Sequence, residues 1–230
     1  MSRAALHSNF ENFMKILNLY SGIGGNRKLW LNVDVTAVEI EPEIAKIYQD
    51  FFPNDKVIVN DAHEYLRKHY NEYDFIWSSP PCPTHSRIKL SAGVFGHGYE
   101  YEYPDMNLYQ EIILLKHLAK ANWVVENVQP YYQYLLEPSQ RLGRHAYWSN
   151  FDILYRKFSN NGGIDGYTKI ESRHIYFNLD EYKLKAKNKM KLLRNCVDPE
   201  IGLHILDCAR GTIPPMQEGL FAENISKNSA

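Results

Sequence analysis

Residues 15–25 are Lys15-Ile16-Leu17-Asn18-Leu19-Tyr20-Ser21-Gly22-Ile23-Gly24-Gly25, an apolar run followed by a glycine-rich turn. The apolar part has the length of a short buried strand, and glycines after a strand let backbone amides approach a ligand closely. No lysine followed by Ser or Thr stands at the P-loop positions, which argues against phosphate clamping. Because glycines also mark turns that bind nothing, the rest of the chain must decide between the two interpretations.

Strand and helix patterns alternate from residue 15 to about residue 136. Further strands are predicted at Val33–Val38, Lys56–Val59, Tyr73–Trp77 and Asn122–Val125. Helices are predicted from Asn26, from Pro42, after Asp61, over Asn107–Lys120 and over Pro199–Ala209. Strands separated by helices predict βαβ units. The expected fold is therefore α/β and Rossmann-like, with a mostly parallel sheet and helices on both faces.

Acidic residues follow two of these strands. Glu39 ends the second strand, where it could accept hydrogen bonds from ribose hydroxyls, and Asp61 ends the third, where it could accept from an exocyclic amine. A solvated surface acid and a helix N-cap are the respective alternatives. Parallel strands end at one edge of a sheet, so the glycine turn, Glu39 and Asp61 together predict a nucleoside pocket.

A cysteine and a carboxylate follow the next two strands. Cys82 lies within Pro80-Pro81-Cys82-Pro83, and Glu126 follows Val124-Val125. A nucleophilic thiol beside a buried carboxylate suits covalent attack on an electron-poor heterocycle. A single cysteine is more often a buried structural residue, so the interpretation depends on the surrounding motifs.

Composition narrows the function classes. The 230 residues carry a net charge of −1, so the chain as a whole is not a basic nucleic-acid binder. Three cysteines without CxxC spacing argue against a disulfide framework or a zinc site, and for a reducing compartment. No apolar stretch has the length of a membrane span, and we expect residues 1–13, which are too polar for a signal peptide, to be an extension outside the fold.

In order and content, these segments resemble the motifs of the cytosine-5 DNA methyltransferases, which use S-adenosylmethionine. The resemblance covers residues 15 to about 150 and 194–206. Five segments carry the resemblance: Asn18–Gly25, Ser79–Cys82, Glu126-Asn127-Val128, Gln140–Arg144 and Arg194–Pro199. Tyr20 stands where Phe is usual, Pro83 where Gln is usual, and Arg194 where Gly is usual. The Gln140–Arg144 segment matches only in part.

The resemblance implies roles for individual residues. Cys82 is the expected nucleophile, Glu126 is expected to hold ring nitrogen 3 and the amino group of cytosine, and Arg144 is expected to favour the thiolate and to support Glu126. Cys82 should then be accessible and lie in an electropositive setting. The implied S-adenosylmethionine site consists of Tyr20, Ser21, Gly22, Ile23, Gly24, Gly25, Glu39, Ile40, Asp61, Ala62, Pro80, Asn195 and Val197.

Double-stranded DNA is the implied partner, with the target base flipped out of the duplex. Residues 84–103 are predicted to form a mobile loop in which Arg87 and Lys89 meet phosphates, although a plain connection is the alternative. Between residues 183 and 191, five lysines alternate with other residues, among them Leu184, Ala186 and Met190. These lysines form either a phosphate-contacting strip or a solvated face. They are Lys183, Lys185, Lys187, Lys189 and Lys191. The small size of the recognition region suggests a short target of about two to four base pairs.

The predicted organisation is an extension at 1–13, a catalytic domain at 14–151 and 194–211, a small target-recognition region at 152–193 and a flexible tail at 212–230. We expect a monomer without metal, in the cytoplasm of a bacterium or a phage-infected host. Three alternatives stay open: an RNA cytosine-5 methyltransferase, a non-catalytic module that binds DNA or cofactor, and a Rossmann oxidoreductase. The cysteine at a strand end and the absence of a full GxGxxG argue against the last.

Overall fold

The computed structural model describes residues 13–87, 102–158 and 175–213. One seven-stranded sheet has the order β3-β2-β1-β4-β5-β7-β6. The strands are β1 Met14–Leu19, β2 Val33–Glu39, β3 Lys56–Val59, β4 Phe75–Ser78, β5 Asn122–Val128, β6 Gln140–Leu142 and β7 His145–Ser149. The helices are α1 Pro42–Phe51, α2 Ala62–His69, α3 Asn107–Leu118, α4 Ala186–Asn195 and α5 Pro199–Ala209.

Strand order places a topological switch point between β1 and β4. β1, β2 and β3 follow one another in one direction across the sheet, whereas β4 and β5 extend it in the other, and all five are parallel. In open α/β sheets, ligands bind at the carboxyl ends of the strands beside such a point. β7 is antiparallel to both β5 and β6. The predicted α/β fold with a mostly parallel sheet is therefore confirmed.

Alternating side chains bury the sheet on both faces. Leu17, Ile76 and Val125 lie in one core cluster with α2 and α3, while Ile16 and Val124 lie in another with α5. Successive side chains of a strand point to opposite faces, so near-continuous apolar strands are what a doubly covered sheet requires. A third cluster joins the sheet to α1 and α4.

Two details differ from the sequence-based prediction. Residues 25–29 form turns instead of a helix, because Asn26 is held by a buried amide pair with Asn18 and its backbone lies against Gly202 of α5. Residues 186–195 form a helix, α4, that the sequence pattern did not predict, so Lys187, Lys189 and Lys191 lie on a helix.

Several predictions lie outside the described residues: most of the extension, most of the 84–103 loop with Lys89, and the tail beyond residue 213. Within the described ranges, no helix combines the length and apolar character that crossing a membrane requires.

Candidate active site

Cys82 and Glu126 are brought to neighbouring strand ends. β4 and β5 are adjacent and parallel, with Ser78 beside Val125, so the turn after Ser78 and the end of β5 lie at the same edge. Cys82 is partly exposed, whereas Glu126 is only 7% exposed. The sequence-based prediction that the cysteine is accessible is confirmed.

The electrostatic setting of Cys82 differs from the prediction. Burial raises the pKa of the Cys82 thiol, the Glu126 carboxylate raises it further, and Arg144 lowers it. Among the described residues, the favourable charge of Arg144 is outweighed by burial and by the repulsion between the thiolate and the Glu126 carboxylate, a direction opposite to the expected electropositive setting.

Asn127 ties the cysteine turn to β5. Its side-chain amide donates to the Pro80 carbonyl at 3.0 Å, and its Oδ1 accepts from the Val128 backbone at 2.9 Å. Asn127 is 1% exposed, so this bond is shielded from water and fixes the turn two residues before Cys82. The sequence analysis gave Asn127 no role; its adjacency to Glu126 was the available signal.

The ion pair to Glu126 comes from His145, the first residue of β7. His145 Nε2 lies 3.4 Å from Glu126 Oε1. Arg144, which was predicted to support Glu126, is exposed, and its Nη2 donates to the Arg194 carbonyl at 3.3 Å. Arg144 is nevertheless near enough to Cys82 to lower its pKa, so its predicted influence on the thiol is present although not dominant.

The glycine turn after β1 is anchored through Glu39. Glu39 Oε2 accepts from the Gly22 backbone at 2.9 Å, and Oε1 accepts from the Glu41 backbone at 3.1 Å. The turn contains left-handed backbone at Tyr20, Gly22 and Gly24. A Cβ on Gly22 would meet no atom within 4 Å, so the turn is open on the side where a ligand could approach.

The other strand-end residues suit a nucleoside. Asp61 caps α2, with Oδ1 accepting from the Glu64 backbone at 2.9 Å, so the N-cap interpretation is correct. Capping leaves a carboxylate with further acceptor capacity, and Asp61 is exposed. Ile40 is 59% exposed although it is apolar, which fits an expected contact with a flat base, and Ala62 beside Asp61 is buried.

The Arg194–Pro199 segment packs directly on the glycine turn through Cys196 and Val197. A Cβ on Gly25 would lie 2.5 Å from the Val197 carbonyl oxygen and 2.8 Å from Cys196 Cβ. Glycine is therefore required at position 25 for two distant segments to meet. Together, the open face at Gly22, the oriented Glu39 and the exposed Ile40 form a cradle whose donors and acceptors fit an adenosine-type cofactor.

A buried carboxylate that the sequence analysis missed connects these parts. Glu111 of α3 is 1% exposed and accepts from Tyr20 at 2.6 Å and from Ser78 at 2.5 Å. His63 Nδ1 lies 3.1 Å from it, and this hydrogen bond is the largest cause of the raised pKa of His63. The Glu111 hub, defined as Glu111 with Tyr20, Ser78 and His63, joins the glycine turn, β4 and α2.

The predicted DNA-contacting residues are spread over the surface. Arg87 is exposed, with its Nε donating to the Pro130 carbonyl at 3.3 Å. Lys183 lines a groove with Glu43 and Asp50 of α1. Lys187 and Lys189 are two residues apart in α4, so they point to different sides. Lys185 is the N-cap residue of α4.

The sheet order, with its switch point beside the glycine turn, is that of the Rossmann-like fold of S-adenosylmethionine-dependent methyltransferases. More narrowly, the chain belongs to the C-5 cytosine-specific DNA methylase family, whose model matches residues 14–130. The resemblance seen in the sequence is thereby confirmed, and S-adenosylmethionine is the family's cofactor. No curated protein matches the chain.

Solved structures similar to the chain include three methyltransferases. A SAM-dependent methyltransferase from Agrobacterium tumefaciens is 14% identical, with a TM-score of 0.36 over 53% of this chain and 40% of that one. A DNMT2 variant from Spodoptera frugiperda is 27% identical, with a TM-score of 0.35 over 50% and 35%. A putative DNA modification methyltransferase of an Escherichia coli prophage is 21% identical, with a TM-score of 0.34 over 52% and 33%. The chain thus spans less than half the length of these three.

Proposed function

We propose that the chain methylates carbon 5 of cytosine in double-stranded DNA, through a covalent bond between Cys82 and carbon 6 of a flipped-out base. The observation that carries the proposal is the pairing of a partly exposed thiol with a buried carboxylate at the ends of adjacent strands. Glu126 is close enough to Cys82 to raise its pKa, so one small heterocycle could contact both groups. Membership of the C-5 cytosine family names that heterocycle.

Each residue has a chemical task in this reaction. The Cys82 thiol loses its proton, and Sγ forms a bond to carbon 6, which moves electron density to carbon 5. Glu126, in its protonated form, donates to ring nitrogen 3 and accepts from the amino group, which stabilises the attacked ring. S-adenosylmethionine, when bound, supplies an electrophilic methyl group for carbon 5. Loss of the proton from carbon 5 then breaks the S–C6 bond and frees Cys82.

The proposed cofactor site is the cradle at the switch point. Glu39 is already oriented by two backbone N–H groups, so it keeps lone pairs for ribose hydroxyls without paying an orientation penalty. Asp61 and the exposed Ile40 would contact the adenine amine and ring. Val197, whose carbonyl packs on Gly25, and Asn195, two residues before it, would complete the site.

For DNA, a cytosine within a stacked duplex cannot reach a half-buried thiol, so base flipping belongs to the proposal. Arg87 and Lys89, which follow Cys82 in the sequence, are proposed phosphate contacts. The recognition role of residues 152–193, a target of about two to four base pairs and a monomeric state also stay proposals. Contacts by Lys183, Lys185 and Lys187 are proposed with them, and the salt slope of DNA binding decides their part.

The test uses duplex DNA that carries 5-fluorocytosine. Fluorine does not leave carbon 5 as a proton does, so wild-type protein with S-adenosylmethionine should give a persistent covalent adduct, seen by mass spectrometry on the peptide with Cys82. Cys82→Ser should give no adduct and no methyl transfer while it still binds S-adenosylmethionine. Cys208→Ser is the matched control, because Cys208 is also a partly exposed free thiol but lies on α5; it should behave as wild type.

Structured RNA is assayed in parallel. Methyl transfer to RNA with none to duplex DNA would overturn the DNA assignment and retain the chemistry. Turnover by Cys82→Ser equal to that of the wild type would overturn the covalent mechanism.

A further inference from the structure

His145 meets the proposed catalytic carboxylate from the far side of β5. Its Nε2 lies 3.4 Å from Glu126 Oε1, and the two side chains are only 15% and 9% exposed. β5 and β7 are antiparallel with Glu126 opposite Tyr147, so His145 is the diagonal neighbour two residues along β7 on the same face. An ion pair this shielded is weakly screened by salt.

We propose that His145 is a positioning residue: in its imidazolium form it balances the charge of Glu126 beside Cys82, and it thereby makes formation of the Cys82 thiolate depend on the protonation of His145. The proposal rests on the proposed function in assigning Cys82 and Glu126 to the reaction. It adds a residue that neither the motifs nor the family model singles out.

Histidine suits this role because of where it titrates. An ordinary imidazole changes charge near pH ~6.5, whereas an arginine in the same place stays charged at every accessible pH. Below that pH, the imidazolium offsets the Glu126 charge, so a thiolate nearby is disfavoured less. Above it, the neutral imidazole can still hydrogen-bond but offsets nothing, so the full Glu126 charge opposes the thiolate.

Several other charged or titratable groups surround the pair and must be held constant in any test. They are Arg144 in the turn before β7, Tyr147 on β7, Asp198 before α5, and Cys82 itself. Arg144 lowers the pKa of Cys82 and, as an arginine, stays charged at every accessible pH, so it contributes a constant background. None of these four groups changes its charge near pH ~6.5 in its ordinary state, whereas an imidazole does.

The deciding experiment measures the alkylation rate of Cys82 in the absence of substrate. Intact protein is alkylated with iodoacetamide at pH values between about 5.5 and 9, and the rate at the Cys82 peptide is measured by mass spectrometry for wild type, His145→Gln and His145→Arg. Glutamine keeps a hydrogen-bond donor without the charge, and arginine keeps the charge without the titration.

Three curves are expected. Wild type should react about three- to tenfold faster than His145→Gln at the acidic end, and the two rates should converge above neutral pH. His145→Arg should exceed His145→Gln by a similar, constant factor across the range. A purely structural role would shift rates without this convergence, so a rate ratio of wild type to His145→Gln that is independent of pH overturns the proposal.

Matched controls test whether loss of another histidine, or misfolding of a variant, changes the Cys82 rates. His69→Gln removes a partly exposed histidine at the end of α2 that forms an ion pair with Glu72, and it should leave the Cys82 rates unchanged. Thermal unfolding identifies a variant that fails to fold, and His145→Arg, which preserves the charge, then decides the outcome. Because no methyl transfer is measured, failure of the proposed function would leave this result intact.

Discussion

Replacing Glu111 with alanine is expected to be among the most damaging single changes in the protein. The side chain is 1% exposed and accepts hydrogen bonds from Tyr20 at 2.6 Å and from Ser78 at 2.5 Å, with His63 at 3.1 Å. Alanine removes every acceptor at once. Ser78 is completely buried, so its hydroxyl would lose its partner without gaining water.

The size of the loss follows from the number of bonds. A buried donor left without a partner costs about 1–3 kcal/mol, and breaking a buried ionic network costs about 3–5 kcal/mol in all. For a chain of this length, each kcal/mol lowers Tm by about 2–4 °C, which gives a loss of about 6–20 °C. Since native proteins are stable by only about 5–15 kcal/mol, this is a large fraction of the total.

The loss should also depend on pH. The hydrogen bond to Glu111 raises the pKa of His63 in the folded protein above its ordinary value. A raised folded pKa stabilises the protein fully below the unfolded pKa of about 6.5, and this part disappears as pH rises through the raised folded value. The difference in Tm between wild type and Glu111→Ala should therefore be greater at pH ~6 than at pH ~8.5.

Thermal unfolding monitored by circular dichroism measures both effects. Glu64→Ala is the control, because Glu64 is an exposed partner of Arg67 on α2, and solvent screens such a pair so that it contributes little to stability. A Tm loss in Glu111→Ala no larger than in Glu64→Ala would refute the reasoning, as would a difference that does not change between the two pH values.

Four further predictions can be measured directly. Glu39→Ala and Asp61→Ala should each weaken S-adenosylmethionine binding roughly ten- to a hundredfold, because each removes a charge-assisted hydrogen bond; unchanged affinity in both by calorimetry would show that the pocket lies elsewhere. Glu126→Gln should speed alkylation of Cys82, since it removes a charge that raises the thiol pKa; a slower rate would contradict this cause. Base-resolution mapping of methylated DNA should show a target of about two to four base pairs, and a strict site of six or more would exclude it. Replacing three lysines with alanine should reduce the salt slope of DNA binding by ~1 per lost phosphate contact, whereas an unchanged slope assigns them to a solvated face; they are Lys183, Lys185 and Lys187.

The first five strands could be predicted because each is a local apolar run. Leu17 and Ile16 need no distant partner to indicate a strand buried on both faces. β6 and β7 were not predicted, since Gln140–Leu142 is short and largely polar and becomes a strand through pairing with β7. Helix α4 was not recognised because its lysines alternate in sequence, a period of two that conceals the helical one.

The residues of the proposed site likewise divide into those that the sequence predicts and those that it does not. Cys82, Glu126, Glu39 and Asp61 stand at strand ends, where topology alone predicts that functional groups meet. The Glu111 hub was not predictable, because Tyr20 and Glu111 are 91 residues apart and an acid within a helix normally indicates a solvated face. The role of His145 depends on the antiparallel pairing of a strand that the sequence pattern did not reveal.

The raised pKa of Cys82 is compatible with a nucleophile under the proposed reaction. Its causes are burial first and the Glu126 charge second, with Arg144 opposing both. A cytosine that hydrogen-bonds to Glu126 through ring nitrogen 3 must place a proton between them, and that proton cancels the carboxylate charge. The second cause then vanishes while the effect of Arg144 persists, so the thiolate becomes more accessible when the base arrives. A thiol held protonated until then is also less open to oxidation, which proceeds through the thiolate.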